Sequence, residues 1–346
     1  RKEIEEILGG EAESFCAYYD VSEAGNWEHT NILWVRKPLA DVAAALQITE
    51  QGLAEILDRG RKRLMEVRAD RIRPLLDDKI LLGWNALMNT AYCKAFEATG
   101  DEACLEQAIR NMQFILKSFK GEDGRFFHTW KQGQARYPAF LDDLAYLVQA
   151  LLQLQQVTGD TGWLEQARDL GLQIIDRFSE PGTPFFYYTP EGQEDVIVRK
   201  KEVYDGAVPS GNAVMAANLH HMGVLLDINE WQERSLDMYR MLGNAIIRYP
   251  GSFGIWAMGV QEQVQGTNEI ILAGDNLSVL RADLLSRYVP NKVLLSPGKE
   301  VGWIALLEGK KEVGKPTIYL CRNNTCQAPV FSAESLISLI DRGKKQ

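Results

Sequence analysis

The chain has 346 residues, 46% hydrophobic and 25% charged, which is enough apolar material for a sizeable core in one large helical array or two to three ordinary domains. Its net charge of −9 argues against nucleic acid or an anionic membrane surface as partner, because phosphate binding is driven by clustered Lys and Arg. No apolar run approaches the roughly 20 residues that span a bilayer, and five cysteines, few and odd in number, favour a reducing, cytoplasmic setting.

The sequence opens on Arg1 and a run, 2–8, that reads as mid-helix, so it reads as a fragment of a longer chain. An irregular, aromatic-rich segment follows over 15–35, turning at Gly25-Asn26-Trp27. One long helix is expected over 40–68, with Leu46, Leu53, Leu57 and Leu64 at helical spacing, and Pro74 and Asp77-Asp78 punctuate it. The string Thr-Gly-Asp-x-x-x-Leu-Glu-Gln-Ala then occurs twice, at 99–108 and at 158–167. In each copy Gly ends one helix in the left-handed conformation and Asp caps the next. This predicts helical hairpins over 81–119 and 141–178, and a third over 209–227 and 230–247 with Asn229 at its joint. Short joints force antiparallel neighbours. The connections 121–139 and 179–208 are long and aromatic, so the array has a plain end and an elaborated end.

Beyond about Gly266 the pattern changes to strands at 269–273, 292–295 and 316–321, with helices at 277–288 and 333–340. The expected fold is mainly α, a helical-hairpin array over 1–265 carrying a small α/β appendage over 266–346.

Three segments begin leading helices at the elaborated end, containing Gly83-Trp84-Asn85, Phe140-Leu141-Asp142-Asp143 with Tyr146, and Asp205-Gly206 with Pro209-Ser210-Gly211-Asn212. Paired carboxylates beside flat aromatic faces are what glycosidic chemistry requires. Asp142, Asp143 and Asp205 are the catalytic candidates, and Trp84, Asn85, Tyr146, Ser210, Asn212 and His128 the substrate-binding ones. Asp142 or Asp143, and Ser210, also have a reading as an N-cap or dipole partner, and the aromatics a core reading. No metal site is expected: His220 and His221 are adjacent, point different ways round a helix, and read as packing or surface residues. Nor is a cofactor, since there is no phosphate-cradling loop, dinucleotide fingerprint or nucleophile elbow. Cys321 and Cys326 are taken as reduced, with a labile disulfide or metal site as the alternative that a turn at Asn323-Asn324 would allow.

Gly25-Asn26-Trp27-Glu28 with Asn31-Ile32-Leu33, Asp77-Asp78-Lys79-Ile80 with Gly83-Trp84-Asn85, Phe140–Asp143, Asp205-Gly206 with Pro209–Asn212, and Cys321-x-x-x-x-Cys326-Gln327-x-Pro329 occur in this order. Together they resemble the C-terminal half of a thioredoxin-domain-containing family, the one that includes spermatogenesis-associated protein 20. The resemblance implies an α/α toroid related to six-hairpin glycosidases and to N-acylglucosamine 2-epimerase. The barrel here is incomplete, with three clear hairpins, and the thioredoxin-like domain is absent. The expected function is therefore a carbohydrate-binding or carbohydrate-active protein, with a saccharide or other small molecule as ligand. Hydrolysis or sugar binding ranks above epimerisation, for which the histidines are poorly distributed. The alternative is a non-catalytic scaffold or binding module. An open array also implies self-association or a missing N-terminal half supplied by another chain.

Overall fold

Residues 1–298, 301–322 and 325–343 are described in a computed structural model, which parts into two units, Arg1–Asp77 and Asp78–Gln346. The first holds α1 (Lys2–Leu8), α2 (Ala12–Tyr18), α3 (Leu39–Ala45) and α4 (Glu50–Ala69), packed on Phe15, Cys16, Leu53 and Leu57. The single helix expected over 40–68 is two. Gln47 takes a φ of 56°, and the Thr49 hydroxyl accepts from the Gly52 amide at 3.0 Å, so a new N-terminus is capped where the long helix would have run on. In the irregular segment Asn26 clamps the loop, donating to the Asp20 and Ile32 carbonyls and accepting from the Ile32 amide.

In the second unit β1 (Ile80–Leu81) leads into α5 (Leu82–Thr99) and α6 (Glu102–Ser118). Then come β2 (Phe127–Lys131), β3 (Gln134–Pro138), α7 (Leu141–Thr158), α8 (Thr161–Phe178), α9 (Gly211–Leu226), α10 (Asn229–Arg248) and α11 (Gly254–Gln265). Gly100 and Gly159 are left-handed at φ 70° and 75°, and Asp101 and Asp160 accept from the amides of Ala103 and Gly162, as the duplicated string requires. The third joint differs from expectation. Asp227 supplies the left-handed residue at φ 57°, and Asn229 is already the first residue of α10. The segment 121–139 is not a plain loop, because β2 and β3 form a hairpin on which β1 adds a third strand. Its two turn residues, Gln132 and Gly133, both have positive φ, the conformation that matches strand twist in a two-residue hairpin.

The leading helices α5, α7 and α9 lie side by side with α7 in the middle, while α6, α8 and α10 each back their own hairpin partner. Short joints make the three leading helices parallel, so their N-termini share one end. α7 and α9 are buried on nearly every face, through residues such as Leu141, Leu147, Ala150, Met215, Ala216 and Leu219.

The C-terminal part holds β4 (Asn268–Ala273), α12 (Ser278–Leu285), β5 (Lys292–Leu295), β6 (Thr317–Arg322), β7 (Thr325–Cys326) and α13 (Ala333–Gly343), with strand order β5-β4-β6-β7. β5 packs on α7 and α9, and the Gln155 amide donates to the Leu294 carbonyl at 3.1 Å. The change of architecture near Gly266 therefore falls inside one compact unit, and the two units part at Asp77. Cys321 and Cys326 face each other across the β6–β7 pair and are disulfide-bonded, which corrects the expectation of reduced thiols. The residues Asn323-Asn324 that carried the turn reading lie outside the described residues. Among the described residues no helix is long and apolar enough to cross a membrane, and no group of three or more His, Cys, Asp or Glu could hold a metal.

Candidate functional site

The adjacent carboxylates of α7 reach to opposite neighbours. Asp143 Oδ1 accepts from the Gly83 amide at 2.9 Å in the first turn of α5, and Asp142 Oδ1 accepts from the Gly211 amide at 2.9 Å in the first turn of α9. One dipeptide thus ties three helix N-termini, whose dipoles favour negative charge there. Both glycines are required by close approach, since a Cβ on Gly83 would meet Asp143 Oδ1 at 2.8 Å and one on Gly211 would run into the Asp142 carboxylate.

The two carboxylates then differ. Asp143 is buried, and its Oδ2 accepts from the Phe140 amide at 3.0 Å and meets His128 Nδ1 at 2.8 Å. That hydrogen bond raises the His128 pKa, outweighing the opposing effect of burial. Asp142 has its one protein hydrogen bond among the described residues from Gly211. It lines a cavity of about 430 Å³ together with Tyr188, Lys200, Glu202, Tyr204 and Ser210. Burial pushes its pKa up to about 6; the Gly211 amide opposes this, and the charges of Asp143 and Glu202 add to it.

Glu202, absent from the sequence-derived candidates, is placed by two that were. Ser210 Oγ donates to the Glu202 carbonyl at 3.0 Å, and Asn212 Nδ2 donates to the same oxygen at 2.9 Å. Asn212 also grips both backbone groups of Phe186, so the loop 179–208 is laced onto the first turn of α9. Tyr188 is held on the cavity wall by stacking on Phe140 at 4.8 Å, and burial lifts its pKa to about 12. His128 packs on the same Phe140 at 4.8 Å, behind the cavity wall.

The remaining candidates are engaged elsewhere. Asp205 is a tether, accepting from the Ser210 amide at 2.9 Å and the Ile255 amide at 2.8 Å. Tyr146 is buried with its hydroxyl on the Pro209 carbonyl, and burial pushes its pKa up. Asn85 bridges Leu81 and Asn111 within the first hairpin. Trp84 is 65% exposed and outside the cavity lining. The structure therefore brings Asp142 and Ser210 to the cavity, uses Asp143, Asp205 and Asn212 to build it, and leaves Trp84 and Asn85 apart. The histidine pair is not idle surface. His220 Nε2 meets Thr267 Oγ1 at 2.7 Å and His221 Nε2 meets both Glu262 oxygens at 3.1 Å, so neighbours in sequence join one buried network.

Comparison with known proteins shows which chains this one is similar to. Spermatogenesis-associated protein 20 of Rattus norvegicus is 28% identical over 381 residues, covering 98% of this chain. The human protein of that name is 26% identical over 355 residues, covering 93%. The chain is a homologue of spermatogenesis-associated protein 20. It spans about half the length of the curated relatives it matches, 48% of the rat protein and 45% of the human one. No family model matches the chain. Among solved structures, cellobiose 2-epimerase from Spirochaeta thermophila aligns at a TM-score of 0.40 and 15% identity, over 47% of this chain and 43% of that one. A glycoside hydrolase of family 105 from C. acetobutylicum aligns at 0.39 and 14%, over 60% of this chain and 61% of that one. Likenesses this slight say nothing about chemistry.

Proposed function

We propose that the cavity at the N-termini of α7 and α9 binds a saccharide and hydrolyses a glycosidic bond by general acid–base catalysis. The observation that carries this reading is Asp142, raised to about 6 inside a cavity that it shares with Glu202. A carboxyl near that value is half protonated at pH 6 and keeps a protonated fraction of about a tenth at pH 7, which is what protonating a leaving oxygen draws on. Asp142 gives its proton to the glycosidic oxygen as the bond to the anomeric carbon breaks. Water adds to that carbon and passes its own proton to the Glu202 carboxylate. Tyr188 and Tyr204 offer ring faces to the sugar, and Ser210 and Asn212 act as positioning residues because they fix the Glu202 backbone.

The test is hydrolysis of a panel of oligosaccharides by the intact chain and by Asp142→Asn and Glu202→Gln. Asp142→Asn keeps an acceptor for the Gly211 amide while removing the proton, so it leaves the fold in place. Either substitution is expected to lower turnover by about 10²–10⁴-fold. Turnover of the whole panel unchanged in Asp142→Asn, or absent in the unsubstituted chain, overturns the proposal. A second reading, a non-catalytic saccharide-binding module, is favoured by the engagement of Asp143, Asp205, Asn212 and Asn85 in tethers. It predicts binding without turnover in every variant.

A further inference from the structure

A second cavity, of about 620 Å³, lies between α5, α7, α9, α11 and the α12–β5 connection. Glu97 in its wall is fourteen residues along α5 from Gly83, which at 1.5 Å per residue is about 20 Å from the first cavity's end of the array. Lys292 stands out in its wall. The side chain is only 10% exposed, yet its one partner among the described residues is Glu97, 3.8 Å away and beyond hydrogen-bonding distance. Glu97 is already engaged by Lys94 Nζ at 3.0 Å and by Gln153 Nε2 at 2.5 Å. Its ammonium is left open to the cavity with no protein hydrogen bond among the described residues, and an anionic oxygen from outside would supply one.

The rest of the lining limits what that anion can be. The lining sets three cations, Lys94, Arg287 and Lys292, against the two carboxylates of Glu97 and Glu262, so one negative charge on the ligand balances it and two would exceed it. Gln149, Gln156 and Asn291 add amides, and Gln156 Oε1 is buried with no partner, an acceptor awaiting a donor.

We propose that this cavity is a ligand site for a small monocarboxylate whose other groups are hydrogen-bond donors, its carboxylate on Lys292 and Lys94 and a donor on Gln156. The site does not depend on the hydrolytic reading of the first cavity.

Isothermal titration of the intact chain with gluconate, sorbitol and inorganic phosphate tests it. Sorbitol matches gluconate in chain length and carries a hydroxymethyl group where gluconate has its carboxylate, so it lacks the charge. Gluconate is expected to bind at least 10-fold more tightly than sorbitol or phosphate, and Lys292→Met to weaken it at least 10-fold. Lys94 is half exposed, so Lys94→Met keeps the fold should Lys292→Met fail to, and it is expected to weaken gluconate about 10-fold. Asp142→Asn should leave gluconate binding unchanged, which separates this site from the first. Equal binding of gluconate and sorbitol, gluconate binding indifferent to both lysine substitutions, or no gluconate binding at millimolar concentration would each overturn the proposal.

Discussion

Asp142 and Asp143 are chemically identical neighbours with opposite fates, and their surroundings explain why. Asp143 receives the Gly83 and Phe140 amides and faces His128, so both of its oxygens are engaged. Asp142 has one amide and two repelling carboxylates, Asp143 and Glu202, and burial lifts it to about 6. The sign of its effect on stability follows. An unfolded aspartate loses its proton near 3.8, so between about 4 and 6 the folded chain holds a proton that the unfolded chain has lost. Asp142 therefore destabilises the fold increasingly as pH rises through that window, fully so above it. Asp142→Asn carries no such penalty. In urea denaturation the variant is expected to gain on the unsubstituted chain between pH 4 and pH 7, by on the order of 1–3 kcal/mol at the upper end. A gap that stays constant with pH would show that the carboxyl is not raised. That a carboxylate pair would start α7 was legible in the sequence; its division of labour was not. Glu202 had no local signal beyond the charged run Lys200-Lys201-Glu202, because it reaches Asp142 only through the path of the loop 179–208.

The helical joints were the most legible elements, because Gly and Asp caps act through nearby backbone and need no tertiary context. The breaks that the pattern missed, one left-handed residue at Gln47 and two at the Gln132-Gly133 turn, are backbone features that hydrophobic periodicity does not register. Asp227 replaces glycine at the third joint in the same way. The two copies of the Thr-Gly-Asp joint offer an internal comparison. A Cβ on Gly100 meets nothing within 4 Å, whereas one on Gly159 would strike Arg281 and the Ser296 carbonyl. Both substitutions to alanine incur the left-handed penalty of about 1 kcal/mol. Gly159→Ala must in addition displace the appendage that packs there. Thermal unfolding is expected to show Gly100→Ala lowered by a few degrees and Gly159→Ala by at least twice as much. Equal shifts would mean that the appendage does not press on the second joint.

At the scale of the whole molecule, parallel leading helices bring three N-termini together, and the Asp142-Asp143 pair with Gly83 and Gly211 closes them into one end. The hairpin spacing foretold this end, since short joints at one side leave the long loops at the other. Which helices the C-terminal sheet would meet was not legible in the sequence pattern, because β5 reaches α7 and α9 through contacts remote in sequence. Two influences compete at the assembled end. The helix dipoles and the Gly211 amide favour a charged Asp142; burial and the neighbouring carboxylates favour a protonated one. The proposed chemistry requires the second influence to win. Titration of the Asp142 side-chain carboxyl by carbon-detected NMR, assigned by difference against Asp142→Asn, decides between them. A midpoint near 6 is expected, and a midpoint at or below the ordinary aspartate value would contradict the account.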